Sequence, residues 1–420
     1  MTDAQRIGST ANGRIAEERN IEDLTEFHQD LTNLLRSIRR HLHSNPELGF
    51  EEHKTSQFVC EMLEMQGLTD IRKVAGTGLY VDIDGKHPGP VVGFRAEMDA
   101  IEASDRKDVT YRSLSEGSAH LCGHDAHTAI AIGVAILLKS LRSHLYGTVR
   151  VFFQPNEEGV PSGAPAMIDA GVLDGMQAVY CVHVDPTLQV KQYGLIAGAA
   201  TAGADCFRVR VFGQTSGHSA RPHQSVDTVW VATMMASQLY QLVGRISDAR
   251  NTAVLTICRF IGGHAYNVVP SEVEFGGTLR CIDAGERVQL KNRLIDVCNR
   301  IAEMYGATIT VDYEDGAPPV VNDPILVKRV AAAISELYGD QAIFKVPRPS
   351  MGAEDFAHYL RYIPGMLLRV GTASGPTTSY PLHDSRFDID EESLAPAAQL
   401  MACVLINHLK REAVKTAAKV

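Results

Sequence analysis

Apolar residues recur every three or four positions between residues 21 and 43, which predicts an amphipathic helix there. The repeating positions are Leu24, Phe27, Leu31, Leu34, Leu35 and Ile38. Pro46 and Gly49 end this helix, and a second helix is predicted over residues 51–67. The polar stretch ahead of the first helix has no such repeat, so we expect residues 1–20 to form a loose leader.

Short apolar strands alternate with helices over the first half of the chain. The predicted strands span residues 78–83, 91–95, 148–153 and 178–182, and a helix is predicted over 127–141. This alternation predicts an α/β fold with a mostly parallel sheet covered by helices. The same character returns near the end of the chain, with helices over 324–338 and 394–410 and a strand over 366–371.

The pattern changes near residue 200. Strands over 205–212, 252–261, 268–281 and 307–313 are interrupted by helices over 226–242 and 288–304. This β-α-β-β-α-β order is typical of a ferredoxin-like α+β domain. The economical arrangement is one domain inserted in another. We therefore predict a discontinuous α/β domain of residues 21–200 and 317–412, and an inserted domain of residues 201–316.

Composition narrows the class of protein. The chain has 420 residues, of which 45% are hydrophobic, and a formal net charge of -10. This acidic balance argues against nucleic acid as a partner, and no apolar run approaches the ~20 residues that a membrane span needs. The N-terminus lacks the apolar core of a secretory signal, and the eight cysteines form no CxxC pair. We expect reduced thiols and a cytoplasmic location.

Polar residues follow the predicted strands at the points where the strands end. Asp99 follows one strand, the pair Glu157–Glu158 follows the next, and His183 ends another. Open α/β sheets bind ligands at this edge. In isolation each residue has an ordinary explanation: the glutamates as an exposed acidic pair, Asp99 as a loop acid, and His183 as a satisfied structural histidine.

A run of ligand-type side chains, Cys122-Gly123-His124-Asp125-Ala126-His127, precedes the helix over 127–141. Thiolate, imidazole and carboxylate together suit zinc, and imidazole with carboxylate also tolerates manganese or cobalt. Asp125 has two interpretations, as a helix cap or as an acceptor that orients a ligand. His127 is as well explained by a place in the first helical turn as by a site role. His383 lies in a turn and carries no signal of its own.

The adjacent glutamates suggest how such a site would work. One carboxylate can hold a metal while its neighbour accepts a proton from water, the pairing that metal-assisted hydrolysis requires. In the inserted domain, His218, His223, Asn267 and Arg280 are ordinary polar residues when taken singly. If that domain folds over the metal, they would supply an oxyanion donor and a clamp for a carboxylate.

Taken in order, these motifs resemble the amidohydrolase branch of the aminoacylase/carboxypeptidase metallopeptidase family, which includes hippurate hydrolases and indole-3-acetyl-amino-acid hydrolases. The resemblance runs from about residue 25 to 412. It rests on His183 and on RAEMDA at 95–100, CGHDAHT at 122–128, QPNEE at 154–158, GHSARPH at 217–223, NVVP at 267–270, MGAEDF at 351–356 and PLH at 381–383.

The resemblance implies a metal-binding α/β domain, an inserted dimerisation (lid) domain and a homodimer. It implies one or two Zn, Mn, Co or Ni ions held by Cys122, His124, Glu158, His183 and His383. The catalytic residues would be Glu157 as general base and later acid, His218 as stabiliser of the oxyanion, and Asp99. Asn267, Arg280 and His223 would contact the substrate.

The chain departs from the branch's usual pattern in one region. After Met98-Asp99-Ala100 the family continues with Leu-Pro and a later acidic residue, whereas residues 101–105 here read IEASD. Glu97 also replaces a usual aspartate. The leading hypothesis is hydrolysis of the amide bond of a small N-acyl amino acid. The departures motivate a second, hydrolytic deamination of an amidine or activated aromatic amine. A third is a catalytically silent metal-binding protein.

Overall fold

The structure of the protein is a computed structural model that describes residues 2–10 and 28–417. Its helices are α1 Asp3–Thr10, α2 His28–Ser44, α3 His53–Met65, α4 His124–Ser140, α5 Gly163–Asp169, α6 Thr228–Ile246, α7 Ala284–Tyr305, α8 Pro324–Tyr338 and α9 Leu394–Ala417. None of these described helices has the length and apolarity that crossing a bilayer requires.

The strands of the described residues are β1 Ile71–Val74, β2 Gly78–Asp84, β3 His87–Glu97, β4 Ile101–Glu102, β5 Ser118–Ala119, β6 Tyr146–Gln154, β7 Met176–Gln189, β8 Tyr193–Leu195, β9 Gly198–Ala199, β10 Gly203–Phe212, β11 Gly217–His218, β12 Ala253–Gly262, β13 Val268–Val269, β14 Glu272–Cys281, β15 Thr308–Glu314, β16 Val321–Asn322, β17 Ile343–Lys345 and β18 Gly365–Ala373.

The N-terminal prediction needs a correction. Helix α1 occupies part of the stretch predicted to be a loose leader, so that prediction is wrong for its residues. Ala4 is buried in the core, and Ile7 packs against the core. Two apolar residues are too few to show as a helical repeat in the sequence. Residues 11–20 of the predicted leader, and the first residues of the helix predicted over 21–43, lie outside the described part of the chain.

The described residues divide into two compact units. The larger comprises Met1–Gly198, Val321–Pro347 and His358–Val420, and the smaller comprises Ala199–Val320 and Arg348–Ala357. The insert predicted over 201–316 falls within the smaller unit. Sequence reasoning assigned residues 348–357 to the catalytic domain, whereas hydrogen bonds tie them to the smaller unit. The N–H of Ala202 donates to the Ser350 carbonyl at 2.8 Å, and Nη1 of Arg280 donates to the Met351 carbonyl at 2.8 Å.

The larger unit is built on an eight-stranded sheet in the order β1-β2-β6-β3-β7-β18-β8-β17. Its four central strands, β6, β3, β7 and β18, are parallel. Their apolar residues are buried in nearly continuous runs, as expected for strands covered on both faces. Helices α4 and α9 pack on each other and on β3. The predicted α/β class with a mostly parallel sheet is confirmed.

The smaller unit contains a four-stranded antiparallel sheet in the order β12-β14-β10-β15, with α6 and α7 packed on it. Along the chain its elements run β10-α6-β12-β14-α7-β15, which is the β-α-β-β-α-β order predicted for the insert. Alternate residues of β10, including Phe207, Val209 and Val211, point into a core of their own. The unit therefore has the separate hydrophobic core of an independent domain.

Candidate metal centre

The carboxyl ends of the parallel strands β3 and β6 meet at one edge of the large sheet, beside the middle of β7. Glu97 at the end of β3 pairs in register with Gln154 at the end of β6, and Arg95 pairs with Cys181 of β7. This register brings Asp99 and the pair Glu157–Glu158, which follow β3 and β6, beside His183. The sequence predicted that His183 ends a strand, whereas it lies inside β7, which runs on to Gln189. The turn Cys122-Gly123-His124 enters α4 beside them.

Ligand-type atoms cluster there in overlapping groups. The ligand atoms of Cys122, His124 and His183 lie within 4.8 Å of one another, and so do those of Cys122, Glu158 and His383. Sγ of Cys122 is 3.6 Å from Nε2 of His183, and Nε2 of His383 is 3.0 Å from Oε1 of Glu158. All five predicted ligands are thus brought together, with Cys122 common to both groups. Thiolate, imidazole and carboxylate at this spacing fit one or two divalent ions of the zinc type.

Hydrogen bonds orient the rings of His124 and His183 as ligands. Nδ1 of His124 lies 3.0 Å from both the carbonyl oxygen and Oδ1 of Asp99, so it carries the proton. Its Nε2 is buried and has no hydrogen-bond partner. Nδ1 of His183 donates to the carbonyl of Val184 at 2.8 Å, which leaves its Nε2 facing Cys122. Each ring therefore presents a lone pair inward, as metal-binding histidines held by outer acceptors do.

The electrostatics of the cluster favour a cation. Burial raises the pKa of the Cys122 thiol well above its usual value, and the Glu158 carboxylate adds to that effect. Burial lowers the pKa of His183 to about 3, so its ring is neutral at pH 7. Burial opposes ionisation of Glu158, yet the hydrogen bond from His383 lowers its pKa to about 2. A divalent ion would offset the cost of ionising the buried thiol.

The turn that presents Cys122 and His124 depends on glycine. Gly123 has φ +90, and a Cβ atom there would lie 2.3 Å from Cγ2 of Val184. The N–H of His383 donates to the Leu121 carbonyl at 2.8 Å, which ties the His383 loop to this turn. The backbone therefore sets the separation of three of the candidate ligands.

Replacing Gly123 with Ala should weaken metal binding by at least about tenfold, in the range found when groups that orient ligands are lost. The cause is the contact with Val184 added to the cost, about 1–2 kcal/mol, of a left-handed residue. Gly76→Ala is the matched control, because Gly76 has φ +79 and nothing within 4 Å of its Cβ position. Titration with Co²⁺ measures both; equal losses in the two variants would contradict the steric argument.

Asp125 serves neither of its two predicted alternatives. It makes no cap to α4, whose N-cap residue Gly123 has no side-chain hydrogen bond. Instead Oδ2 of Asp125 accepts from Nε of Arg39 at 2.8 Å and lies 2.6 Å from Nδ1 of His43. Arg39 also donates to Oδ1 of Asp388 at 2.7 Å. This buried network anchors the start of α4 to α2, and such a network is costly to break.

Sequence reasoning missed the network, although one signal was present. Arg39 and His43 lie four residues apart on α2, a spacing that puts both on one helix face. Both are fully buried, as are the apolar residues of the same helix. A buried cation and a histidine at this spacing indicate an ionic partner on another element.

His127 has a structural role. Its Nδ1 lies 2.9 Å from Oε2 of Glu97, and its Nε2 accepts from the N–H of Val184 at 2.9 Å. With both nitrogens engaged, the ring offers no lone pair to a metal, even though its atoms lie close to those of Glu97 and His124. Glu97 also binds the buried Arg95 guanidinium. The unusual glutamate therefore belongs to a buried ion-pair cluster.

The remaining predicted site residues lie in the smaller unit. His218 on β11 pairs in register with Val268 of β13, and the N–H of Ser219 donates to the Asn267 carbonyl at 3.0 Å. His218 and Asn267 are therefore brought together on one strand pair. Arg280 lies near the end of β14, and His223 lies exposed in the turn Pro222–Gln224.

A mostly parallel α/β sheet with thiolate, imidazole and carboxylate groups beside its strand ends is the arrangement of a metal-binding α/β protein. The chain belongs to the Peptidase family M20/M25/M40, whose sequence description matches residues 93–407. Membership makes it a metal-dependent hydrolase that acts on amide bonds. The resemblance identified from the motifs is confirmed.

Individual relatives support the same assignment. The chain is 34% identical to the N-acetyl-L-cysteine deacetylase of Bacillus subtilis (strain 168), over 92% of this chain and 90% of that protein. It is 35% identical to IAA-amino acid hydrolase ILR1-like 4 of Arabidopsis thaliana, over 90% of this chain and 87% of that protein. The crystal structure of the Bacillus subtilis YXEP protein, a dinuclear metal-binding peptidase of the M20 family, matches with a TM-score of 0.81, 31% identity and coverage of 91% and 99%.

Proposed function

We propose that the protein hydrolyses the amide bond of a small N-acyl amino acid. The observation that carries this proposal is the pair of ligand groups sharing Cys122, with Oε2 of Glu157 3.9 Å from Nε2 of His124. Two relatives, the N-acetyl-L-cysteine deacetylase and the IAA-amino acid hydrolase, carry names that describe substrates of this class. Substrates with a small acyl group and a free amino-acid carboxylate are the first to test.

The proposed ligands are Cys122, His124, Glu158, His183 and His383. A divalent ion held by them would lower the pKa of water and polarise the substrate carbonyl. Glu157 accepts the proton of the attacking water and returns it to the leaving amine. Asp99 holds two of the proposed ligands in place. Its Oδ1 orients the His124 ring, and its Oδ2 accepts the N–H of Glu158 at 2.9 Å.

We also propose that His218 stabilises the oxyanion. Its Nδ1 accepts the N–H of Ala220 at 3.1 Å, so Nε2 carries the proton and is the donor that an oxyanion requires. Asn267, Arg280 and His223 are proposed to contact the substrate. Arg280 suits its carboxylate, because a planar guanidinium binds a carboxylate through two parallel hydrogen bonds.

The proposed homodimer would form through the smaller unit. Strand β12 lies at an edge of its four-stranded sheet, and Val254, Phe260 and Ile261 on it are exposed. An exposed edge strand with apolar side chains is a surface for pairing with a second copy. Light scattering coupled to size exclusion would show a dimer that Ile261→Lys converts to monomer; a monomeric wild-type protein would contradict the proposal.

A panel assay tests the proposed substrate class. Metal-reconstituted protein is incubated with N-acyl amino acids, dipeptides and amino-substituted aromatics, with and without chelator, and products are followed by mass. Release of a free amino acid that chelator abolishes is the expected result. Release of ammonia from an amine without an amide would instead support deamination.

Two of the residues that motivate the deaminase alternative have structural partners, which favours the amide hypothesis. The unusual Glu97 is bound to Arg95 and His127. Asp105 of the altered segment is buried, with Oδ2 3.1 Å from Nε2 of His43. Glu97 and Asp105 are thus parts of buried ion-pair networks, whereas Glu102 and Ser104 of the altered segment are exposed. The intact ligand groups, with Glu157 beside them, likewise give no support to a catalytically silent protein.

We also propose a cytoplasmic location. All eight cysteines lie in the described part of the chain, and each is a free thiol. Reduced thiols are typical of proteins in a reducing compartment. Fractionation of cells that express the full chain would test this.

A further inference from the structure

The loop that carries Glu157 and Glu158 closes on the residue directly before them. The carbonyl of Asn156 accepts the N–H of Gly163 at 2.7 Å, and its side-chain Nδ2 donates to the Pro161 carbonyl at 2.7 Å. Asn156 is buried and has φ +49, a conformation that asparagine tolerates better than most residues. One residue therefore closes the loop from both its main chain and its side chain.

The side chain of Asn156 is packed between two glycines. A Cβ atom at Gly49 would lie 1.7 Å from Oδ1 of Asn156, and one at Gly159 would lie 2.1 Å from the same atom. Main chain thus approaches this amide more closely than any residue with a side chain would allow. The amide has no space in which to turn away from Pro161.

A buried carboxylate holds the main chain at the same point. Oε1 of Glu52 accepts the N–H of Asn156 at 2.9 Å, and its Oε2 accepts the hydroxyl of Thr77 at 2.5 Å. Two residues further on, the N–H of Glu158 donates to Oδ2 of Asp99. Both Glu52 and Asp99 are buried. The N–H groups on either side of Glu157 are therefore each fixed by a buried carboxylate.

We propose that Asn156 and Glu52 are positioning residues for the two glutamates of the metal centre. They act through the main chain: with the peptides around Glu157 fixed, Glu158 faces His383 and Glu157 faces His124. Glu52 belongs to none of the ligand groups found in the described part of the chain, and the amide of Asn156 is bonded to Pro161. The inference rests on the proposed function only for the role of Glu157; for Glu158 it rests on metal binding.

Four variants test separately the hydrogen bonds that Asn156, Glu52 and Thr77 make. Asn156→Gly removes the side-chain bond without straining a positive φ. Glu52→Ala removes the acceptor for Asn156, while Thr77→Val leaves that acceptor in place. Glu52→Gln keeps both bonds, because its amide oxygen accepts from Asn156 and its amide N–H donates to the hydroxyl of Thr77. The neighbouring exposed Glu51→Ala serves as a surface control.

The readout is Co²⁺ affinity of the full chain, followed by visible absorbance. We expect Asn156→Gly and Glu52→Ala to bind Co²⁺ about 10–100-fold more weakly, the usual loss when a group that orients a ligand is removed. Glu52→Gln, Thr77→Val and Glu51→Ala should stay within about threefold of wild type, a change of less than 1 kcal/mol. Thermal unfolding of the metal-free proteins shows whether each variant is folded.

The outcomes distinguish positioning from support of the fold. Weaker Co²⁺ binding in folded Asn156→Gly and Glu52→Ala, restored in Glu52→Gln, supports the proposal. If Asn156→Gly and Glu52→Ala bind Co²⁺ with wild-type affinity and only their unfolding temperatures fall, the proposal is overturned. Because Co²⁺ binding needs no substrate, failure of the wild-type protein to hydrolyse any amide would refute the proposed function and leave this result intact.

Discussion

Glu157→Gln should lower turnover severely while the protein keeps its metal. The amide has the shape of the carboxylate but accepts no proton at neutral pH, so the loss should match the ~10²–10⁴-fold contribution typical of a general base. Glu157 lies outside both ligand groups that share Cys122, although its carboxylate forms a further group with His124 and Glu158, so metal retention has to be measured. Mass spectrometry measures whether the variant keeps its metal. The loss of turnover is measured as kcat on the best substrate of the panel.

The adjacent Glu158→Gln is the matched control. The side chain of Glu158 lies in the group with Cys122 and His383, so its substitution should lower metal affinity as well as activity. Near-normal turnover in Glu157→Gln would contradict the role proposed for that carboxylate. Metal loss equal to that of Glu158→Gln would show that Glu157 is a ligand.

Cys122→Ala should have the second large effect, because its sulfur belongs to both ligand groups. We expect a loss of metal affinity beyond the 10–100-fold typical of outer positions. The sulfur-to-metal charge-transfer absorbance of the Co²⁺ protein should also vanish. The control is Cys181→Ala, since Cys181 is also buried, on β7, but lies in none of the ligand groups found among the described residues.

Both arms of the cysteine experiment have a defined outcome. Wild-type charge-transfer absorbance in Cys181→Ala, with none in Cys122→Ala, supports Cys122 as a ligand. Persistence of the band in Cys122→Ala would contradict the assignment. Loss of metal in both variants would place the effect in the packing of the core.

Much of the fold could be predicted because periodicity is a local property. Strands of the large sheet and elements of the smaller unit each follow from the spacing of apolar residues in one short stretch. The short helix α1 and the association of residues 348–357 with the smaller unit could not be found in this way. Each depends on contacts with residues distant in sequence, such as the hydrogen bond between Ala202 and Ser350.

Strand ends predicted where Asp99 and the pair Glu157–Glu158 lie. The full ligand set, with Cys122, His124, His183 and His383, could be predicted only through the resemblance to the family. The residues that hold these ligands in place could not be predicted. Arg39 meets Asp125 across 86 residues and Glu52 meets Asn156 across 104. The motifs also made Asp125 and His127 candidates for roles near the metal. Residue type alone does not show whether an aspartate binds arginine or orients a metal ligand, or whether a histidine binds a metal or a neighbouring carboxylate.

The most direct test of the account is a cycle of metal removal and return on the wild-type protein with an N-acyl amino acid. Free amino acid should be released at the start, should cease when chelator strips the metal, and should return when Zn²⁺, Mn²⁺ or Co²⁺ is restored. Unchanged release from verified metal-free protein would contradict the account, as would a metal-loaded protein that cleaves no amide in the panel.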